Sequence, residues 1–290
     1  MSQYLTLRKA KVTKKHYENF PVATLLFPKA HRDAATILYS FARNADDIAD
    51  EGNLTKNERK KLLKEIEINI NSIKHQKKIQ TPFFRDLERV INQYSLDIKL
   101  FERFISAFKQ DVEKKTYRNF NDLINYCNKA ACPAGEMILS LFDAHNKKNV
   151  SYSNSLCQAL ALIGMTQDIY EDLLKGRVYI PTTEMNKFTL KESDIKIKSF
   201  NHNWKMFKIS WLKKIELLLN KGRPLADCLT GRLKLQIKIL IAGAELLVSR
   251  LKKEDCDWFV NPPKISNFDW ITLLVKTIIN KNYHYVIIRQ

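Results

Sequence analysis

Two short acidic clusters contain the residues of this sequence best suited to binding a cation. The first cluster holds Asp46 and Asp50, and the second holds Asp168 and Asp172. In each cluster the two aspartates are four residues apart, so a helix would place both carboxylates on one face. Adjacent carboxylates repel each other and need a compensating positive charge. On an exposed helix, solvent and nearby lysines can supply it, and a single pair of this kind usually just faces water.

The surroundings of both pairs favour a bound cation over simple solvation. Asp46 and Asp50 come late in an otherwise apolar predicted helix, where the helix dipole disfavours negative charge. The second pair follows residues 159–165, an almost entirely apolar run that predicts burial. Buried carboxylates need cationic partners, and Mg²⁺ takes oxygen ligands that it shares with substrate phosphates. We therefore predict that two aspartate-bearing helices face each other and hold a Mg²⁺-bound diphosphate.

Other metal and nucleotide sites lack their sequence signatures. A di-iron bundle needs Glu-x-x-His on two helices, and a zinc protease needs His-Glu-x-x-His; the sequence contains neither pattern. It also contains no phosphate-binding loop and no Gly-x-Gly-x-x-Gly run. Binding of nucleotides through such loops is therefore not supported.

The elements that must position the two clusters are predicted to be helices. Glycine occurs only 7 times in 290 residues, which argues against the many tight turns of a β protein. The first cluster lies on a predicted helix from Pro28 to Glu51 that closes on Gly52. The second lies on a predicted helix over 151–175, with Ser153 or Asn154 as its cap and Gly176 at its end.

The remaining periodicity predicts further helices in a single domain that spans residues 1–290. They cover residues 56–78, 82–94, 98–113, 203–220, 230–253 and 271–281. A further predicted helix over 121–131 bends at Cys132-Pro133 and continues to residue 142, and residues 256–270 are predicted to form a loop. No repeat, flexible linker or shift in composition divides the chain.

Charge and cysteine content narrow the partners and the compartment. The net charge is +18, but the lysines are spread out and no zinc-finger or RNA-binding signature occurs, so we expect no nucleic-acid partner. Five cysteines without a Cys-x-x-Cys pair predict free thiols in a reducing compartment. The first residues lack the apolar core of a signal peptide. We expect a cytoplasmic protein; peripheral association with the inner face of the membrane and the oligomeric state stay open.

Taken together, the motifs resemble the squalene/phytoene synthase family of head-to-head prenyl synthases, and especially its bacterial hydroxysqualene synthase branch. Their order and spacing match from about residue 16 to residue 275. The matching segments are residues 16–23 with Phe27-Pro28, 41–43 with 46–52, 107–112 with Tyr117, Tyr126-Cys127 with Pro133 and Gly135, 167–172, and 175–181.

The resemblance implies an all-α isoprenoid-synthase fold, a helical bundle around a central cavity. It implies Mg²⁺ as cofactor, with Asp46, Asp50, Asp168 and Asp172 as the ligands and catalytic residues. It also implies that an isoprenoid diphosphate substrate is contacted by Phe20, Tyr39, Arg43, Asp111, Arg177 and Tyr179. For Phe20 and Tyr39, simple core packing is the alternative, because aromatic residues dominate cores anyway.

The implied reaction is ionisation of presqualene diphosphate and capture of the rearranged cation by water, which gives hydroxysqualene and diphosphate. The alternatives are a family enzyme that makes presqualene diphosphate, squalene or phytoene, and a non-catalytic assembly factor; the intact aspartate pairs argue against the latter. Two positions depart from the family, and a third departs only from the branch, because other branches carry glutamate there. Ala161 and Gly164 stand where relatives usually carry glutamine and asparagine, and Glu136 stands where the branch often has arginine.

Overall fold

The computed structural model describes residues 27–113 and 116–279, and its regular structure is helical. This confirms the all-α fold class. Within those residues the only β pairing is an isolated bridge between Thr116 and Val178. The helices are α1 (Lys29–Asp50), α2 (Lys56–Lys74), α3 (Pro82–Gln93), α4 (Ile98–Glu113), α5 (Phe120–Ala130), α6 (Cys132–Leu141), α7 (Lys147–Gln167), α8 (Ile169–Leu174), α9 (Thr182–Lys187), α10 (Glu192–Lys196), α11 (His202–Gly222), α12 (Leu225–Cys228), α13 (Gly231–Lys252) and α14 (Asn267–Ile279).

The described residues form two compact units. The first contains residues 27–113 and 128–145, and the second contains residues 116–127 and 146–279. The prediction of one domain over the whole chain stays a prediction. The five cysteines are all free, as expected from their spacing. No helix in these two ranges is long and apolar enough to cross a membrane.

In the first unit, α1 carries the first acidic cluster and has the predicted boundaries. It begins after Pro28 and ends before Gly52, whose φ of +69° suits a residue without a side chain. Its inner face buries Ile37, Leu38 and Phe41, and it packs against α2, α3 and α4. The predicted helix over 98–113 is α4.

The break between α5 and α6 is held by an arginine of α4. The Arg103 guanidinium donates through Nε to the backbone carbonyl of Asn128 at 3.1 Å, next to the bend before Pro133. Its Nη1 also donates to the carboxylate of Glu136 on α6 at 2.7 Å. Glu136 is buried, so this pairing compensates its charge. An arginine at position 136 would instead meet the like charge of Arg103, which gives this departure from the branch a physical reason.

In the second unit, α7 carries the second acidic cluster but starts earlier than predicted. It begins at Lys147 and not at 151, because Asn146 caps it: the Asn146 side chain accepts the backbone N–H of Asn149 at 3.0 Å. The predicted cap Ser153 is buried inside the helix. The helix is interrupted at Asp168, which separates α7 from the short helix α8.

The end of α8 and the start of α14 show two different caps. Gly176 follows α8 with a φ of +75°, and the next N–H, of Arg177, donates to the Asp172 carbonyl at 2.8 Å, as expected of a glycine-terminated helix. The last helix begins at Asn267 and not at 271. Ser266 and Asp269 cap it reciprocally, at 2.7 Å and 3.1 Å, so the predicted loop 256–270 is shorter. Helices α9, α10 and α12 were not predicted, because they have only 4 to 6 residues.

Candidate active site

The first unit contains an apolar cavity of about 290 Å³ that includes three of the predicted site residues. Tyr39, Arg43 and Asp46 all line it from α1. The other lining residues are aliphatic or aromatic and come from α1, α4, α5 and α6: Ala35, Leu38, Ala42, Phe104, Phe108, Ala130, Ala134, Met137 and Ile138. A volume of this order matches the lower end of small-molecule sites, and a mainly apolar lining with a few charged groups is typical of them.

Arg43 organises the carboxylates of the first cluster. Its Nη1 lies 3.0 Å from an Asp46 oxygen, and its Nη2 lies 2.8 Å from an Asp47 oxygen. Burial alone would lower the pKa of Arg43, but Asp46 and Asp47 outweigh it and the pKa is raised. Arg43 is therefore a fixed cation next to the cavity.

Two other predicted residues of this unit, Asp50 and Asp111, do not line this cavity. Asp50 lies one turn after Asp46 on α1 and is half-buried. Asp111 is also half-buried; it lies on α4, three residues after Phe108, and so on the same side of that helix. Phe20 lies outside the residues that the structure describes, so its predicted contact stays a prediction.

The second cluster forms an ion pair of its own in the second unit. Arg177 Nη2 lies 2.9 Å from an Asp172 oxygen, and Asp172 is buried. Desolvation raises the pKa of Asp172 to about 6, against the opposing effect of Arg177. The single arginine thus offsets only part of the cost of burying this carboxylate. Asp168 lies one turn earlier in an exposed position.

Tyr179 belongs to a group of three tyrosines in the second unit. Its ring stacks on that of Tyr117 at 5.6 Å, and its centroid lies 5.7 Å from that of Tyr126. The Arg177 guanidinium carbon lies 5.8 Å from the Tyr179 centroid, within range of a cation–π contact. The structure therefore brings Asp172, Arg177 and Tyr179 together, and all three line one small cavity of about 10 Å³.

The two family departures on α7 leave room beside the second cluster. Gly164 accepts the backbone N–H of Asp168 at 3.0 Å, and a Cβ at position 164 would meet no heavy atom within 4 Å. Ala161, one turn earlier, is half-buried. A Cβ at position 164 could therefore be accommodated without repacking.

Each acidic cluster by itself offers donors that fit Mg²⁺ if a ligand supplies further oxygens. Asp46, Asp50, Asp168 and Asp172 offer only carboxylate oxygens, which suit a hard cation. Within residues 27–113 and 116–279, no three His, Cys, Asp or Glu side chains are grouped closely enough to hold a metal by themselves. Mg²⁺ commonly binds through one or two carboxylates plus substrate phosphates and water, so this arrangement is compatible with it.

The lining of the cavity was the main feature that the sequence analysis missed. Phe104 and Phe108 are four residues apart on α4 and stack with ring planes only 3° apart. Their spacing already places both on one helix face, which is the signal that could have found them. Met137 and Ile138 carry no comparable signal, since apolar residues of that kind are ordinary core residues.

The chain as a whole is similar to a family of known proteins. A family model described as squalene/phytoene synthase matches residues 13–269. A hydroxysqualene synthase of Sinorhizobium fredii is 29% identical over 245 residues, which cover 82% of this chain and 80% of that protein.

Solved structures give a consistent result. The crystal structure of squalene synthase HpnC from Alicyclobacillus acidocaldarius superposes with a TM-score of 0.74 at 29% identity, and the match covers 81% of this chain and 88% of that one. A dehydrosqualene synthase in complex with a ligand superposes with a TM-score of 0.77, covering 89% and 90% of the two chains; at 22% identity, it supports the fold alone.

Proposed function

The chain belongs to the squalene/phytoene synthase family, and we propose that it is a Mg²⁺-dependent synthase that ionises presqualene diphosphate and releases hydroxysqualene. The observation that carries this proposal is the apolar cavity whose lining includes the Arg43–Asp46 ion pair. A substrate with a long hydrocarbon part and a diphosphate head needs this combination of an apolar pocket and charged groups. The similarity to a named hydroxysqualene synthase supports the choice of product.

The diphosphate head is the part of the substrate that the charged residues would bind. Asp46, Asp50, Asp168 and Asp172 would hold Mg²⁺, which neutralises the leaving diphosphate when bound. Arg43 and Arg177 donate charge-assisted hydrogen bonds to phosphate oxygens, which are stronger than neutral ones. Both guanidiniums are already oriented by carboxylates, Arg43 by Asp46 and Asp47, and Arg177 by Asp172. Less side-chain entropy is then lost on binding.

The apolar lining would serve the carbocation. The C–O bond to the diphosphate breaks with its electron pair on the leaving group, and the cyclopropylcarbinyl cation that remains rearranges. The faces of Tyr39, Phe104 and Phe108 can stabilise that positive charge through their π systems. The aliphatic lining excludes stray water until one molecule adds its oxygen to the cation and loses a proton to solvent.

Two alternatives stay in view. A family enzyme that forms presqualene diphosphate, squalene or phytoene is favoured by the similarity to a structure described as a squalene synthase. A non-catalytic assembly factor would have no use for aspartate pairs at both motifs or for a charged group in the cavity.

Incubation of the purified protein with Mg²⁺ and either presqualene diphosphate or farnesyl diphosphate tests the proposal, with products identified by mass. We expect a C30 alcohol from presqualene diphosphate without NADPH. Formation of squalene that requires NADPH would instead assign the protein to the squalene synthase branch. No product from either substrate would favour the assembly factor.

A further inference from the structure

Helix α14 has an apolar surface that no described part of the chain covers. Its inner side packs on α13: Leu273 and Thr277 are buried, and the Trp270 ring lies so close to Gly243 that a Cβ there would be 2.7 Å away. Its outer side carries five large apolar side chains, each 47–78% exposed: Phe268, Ile271, Val275, Ile278 and Ile279. At 100° per residue these five fall within about one third of the helix circumference. A helix that is apolar on both sides is expected to be covered.

The charge around this stripe is positive. Asp269 is the only acidic residue of α14, and it forms a bidentate pair with Arg250, at 2.9 Å and 2.6 Å, that neutralises it. Lys276 on α14 is exposed. The whole chain carries a net charge of +18. A negatively charged partner surface is therefore favoured over a neutral or positive one.

Area and charge together select a lipid surface over a second copy of the chain. The 13 residues of α14 extend about 20 Å, and a stripe about 10 Å wide presents on the order of 200 Å². A stable protein–protein interface needs about 800 Å² on each partner. Two copies would also bring together two molecules of the same large positive charge. A bilayer has no minimum interface of this kind, since apolar side chains insert individually below the headgroups.

We propose that α14 is an interfacial helix that docks this protein on an anionic lipid surface through Phe268, Ile271, Val275, Ile278 and Ile279. The apolar side chains enter the boundary between headgroups and acyl chains, and Lys276 stays at the level of the headgroups. This orientation keeps the α13-packed side of α14 in contact with the protein. The inference is independent of the proposed reaction, because it uses no residue of the candidate active site.

Co-sedimentation with vesicles tests this inference on the full chain. The vesicles contain either equal parts of phosphatidylglycerol and phosphatidylcholine, or phosphatidylcholine alone. We expect binding to the anionic vesicles, much weaker binding to the neutral ones, and a loss of binding as salt is raised. The double variant Ile271→Gln/Ile278→Gln should bind at least about tenfold more weakly, because it removes apolar area from the stripe.

The matched control carries the same two changes at exposed isoleucines elsewhere. Ile68 on α2 and Ile197 after α10 are 53% and 73% exposed, so Ile68→Gln/Ile197→Gln should bind vesicles like the wild type. Tryptophan fluorescence gives a second readout. Trp204, Trp211 and Trp258 are fully buried, so quenching by brominated lipids should report on Trp270 of α14. We expect such quenching in the wild type and its loss in the Ile271→Gln/Ile278→Gln variant.

Three results would overturn the proposal. The first is vesicle binding that the Ile271→Gln/Ile278→Gln variant retains at wild-type strength. The second is a change of oligomeric state in that variant by sedimentation velocity, which would identify the stripe as an interface between copies. The third is no vesicle binding by the wild type together with a lower melting temperature of the variant, which would show that the chain itself covers the stripe.

Discussion

Arg43 and Asp46 lie one turn apart on α1 and form an ion pair of 3.0 Å in the lining of the apolar cavity. Asp47 forms an ion pair with the other end of the same guanidinium, at 2.8 Å, but does not line the cavity. The two aspartates therefore share a helix and a partner and differ in their position relative to the cavity. This difference provides a matched pair of variants.

We expect Asp46→Asn to lower turnover at least about a hundredfold, because it removes a proposed Mg²⁺ ligand that contributes several kcal/mol to the transition state. Asp47→Asn should keep most of the activity. Both variants should melt within about 2 °C of the wild type, since Arg43 keeps one carboxylate partner in each and partly exposed ion pairs contribute about 1 kcal/mol or less. Steady-state kinetics and thermal melts provide the measurements. Equal activity of the two variants would contradict the proposed role of Asp46 as a Mg²⁺ ligand.

Asp172 predicts a dependence of stability on pH. Its folded pKa of about 6 lies above the unfolded value of about 3.9, so the folded state loses stability as pH rises between about 4 and 6. In metal-free buffer, Asp172→Asn should therefore stabilise the protein by about 1–3 kcal/mol at pH 7.5, and the gain should vanish below about pH 4. Chemical denaturation at both pH values measures this. Glu171→Gln, at an exposed neighbouring site, should show no such pH-dependent gain. A variant less stable than wild type at pH 7.5 would mean that the pair with Arg177 outweighs the desolvation of Asp172.

The effect of ligands on the melting temperature distinguishes a diphosphate-binding enzyme from an assembly factor. Mg²⁺ alone should change the melting temperature little, because open carboxylate sites hold it weakly without phosphate oxygens. Mg²⁺ with a non-hydrolysable farnesyl thiodiphosphate should raise it by about 5 °C or more near saturation. Asp168→Asn should lose most of this shift while its own melting temperature stays close to that of the wild type. The absence of any shift in the wild type would support the assembly factor.

Gly164 offers a test of its departure from the family. Gly164→Asn should raise turnover or lower the Mg²⁺ requirement, since it adds a polar group one turn before Asp168, where a Cβ meets no heavy atom within 4 Å. It should also stabilise the fold by about 0.3 kcal/mol through helix propensity. Gly164→Ala is the control: it should stabilise by about 1 kcal/mol and leave turnover unchanged. Higher stability with lower turnover in Gly164→Asn would instead mean that Ala161 and Gly164 make space for a bulky substrate or partner.

Helices with one dominant boundary signal were predictable from the sequence, and helices with competing signals were not. Pro28 and Gly52 bracket α1, and the predicted helix 98–113 is α4, because strong breakers or clear periodicity leave one choice. Before α7, several asparagines and serines compete as caps, and only the hydrogen bond from Asn149 to Asn146 decides among them. Helix α14 begins four residues before the predicted start, because Ser266 and Asp269 cap it reciprocally.

The charged residues of the candidate site, together with Tyr39 and Tyr179, were predictable, and the rest of the cavity lining was not. Charge and helical spacing identify Asp46 and Arg43 as candidate site residues, and both line one cavity in the structure. The cavity itself is built from four helices, so its existence depends on packing that no local pattern encodes. The pairing of Glu136 with Arg103 is of the same kind, because 33 residues separate the two partners.

The source of the product's oxygen tests the central claim most directly. Presqualene diphosphate, Mg²⁺ and the wild-type enzyme are incubated without NADPH in water labelled with heavy oxygen, with Asp46→Asn as the inactive control and Asp47→Asn as the active one. The account predicts a C30 alcohol whose hydroxyl carries the heavy oxygen, formed by the wild type and Asp47→Asn only. A hydrocarbon product, or no conversion by the wild type, would contradict it.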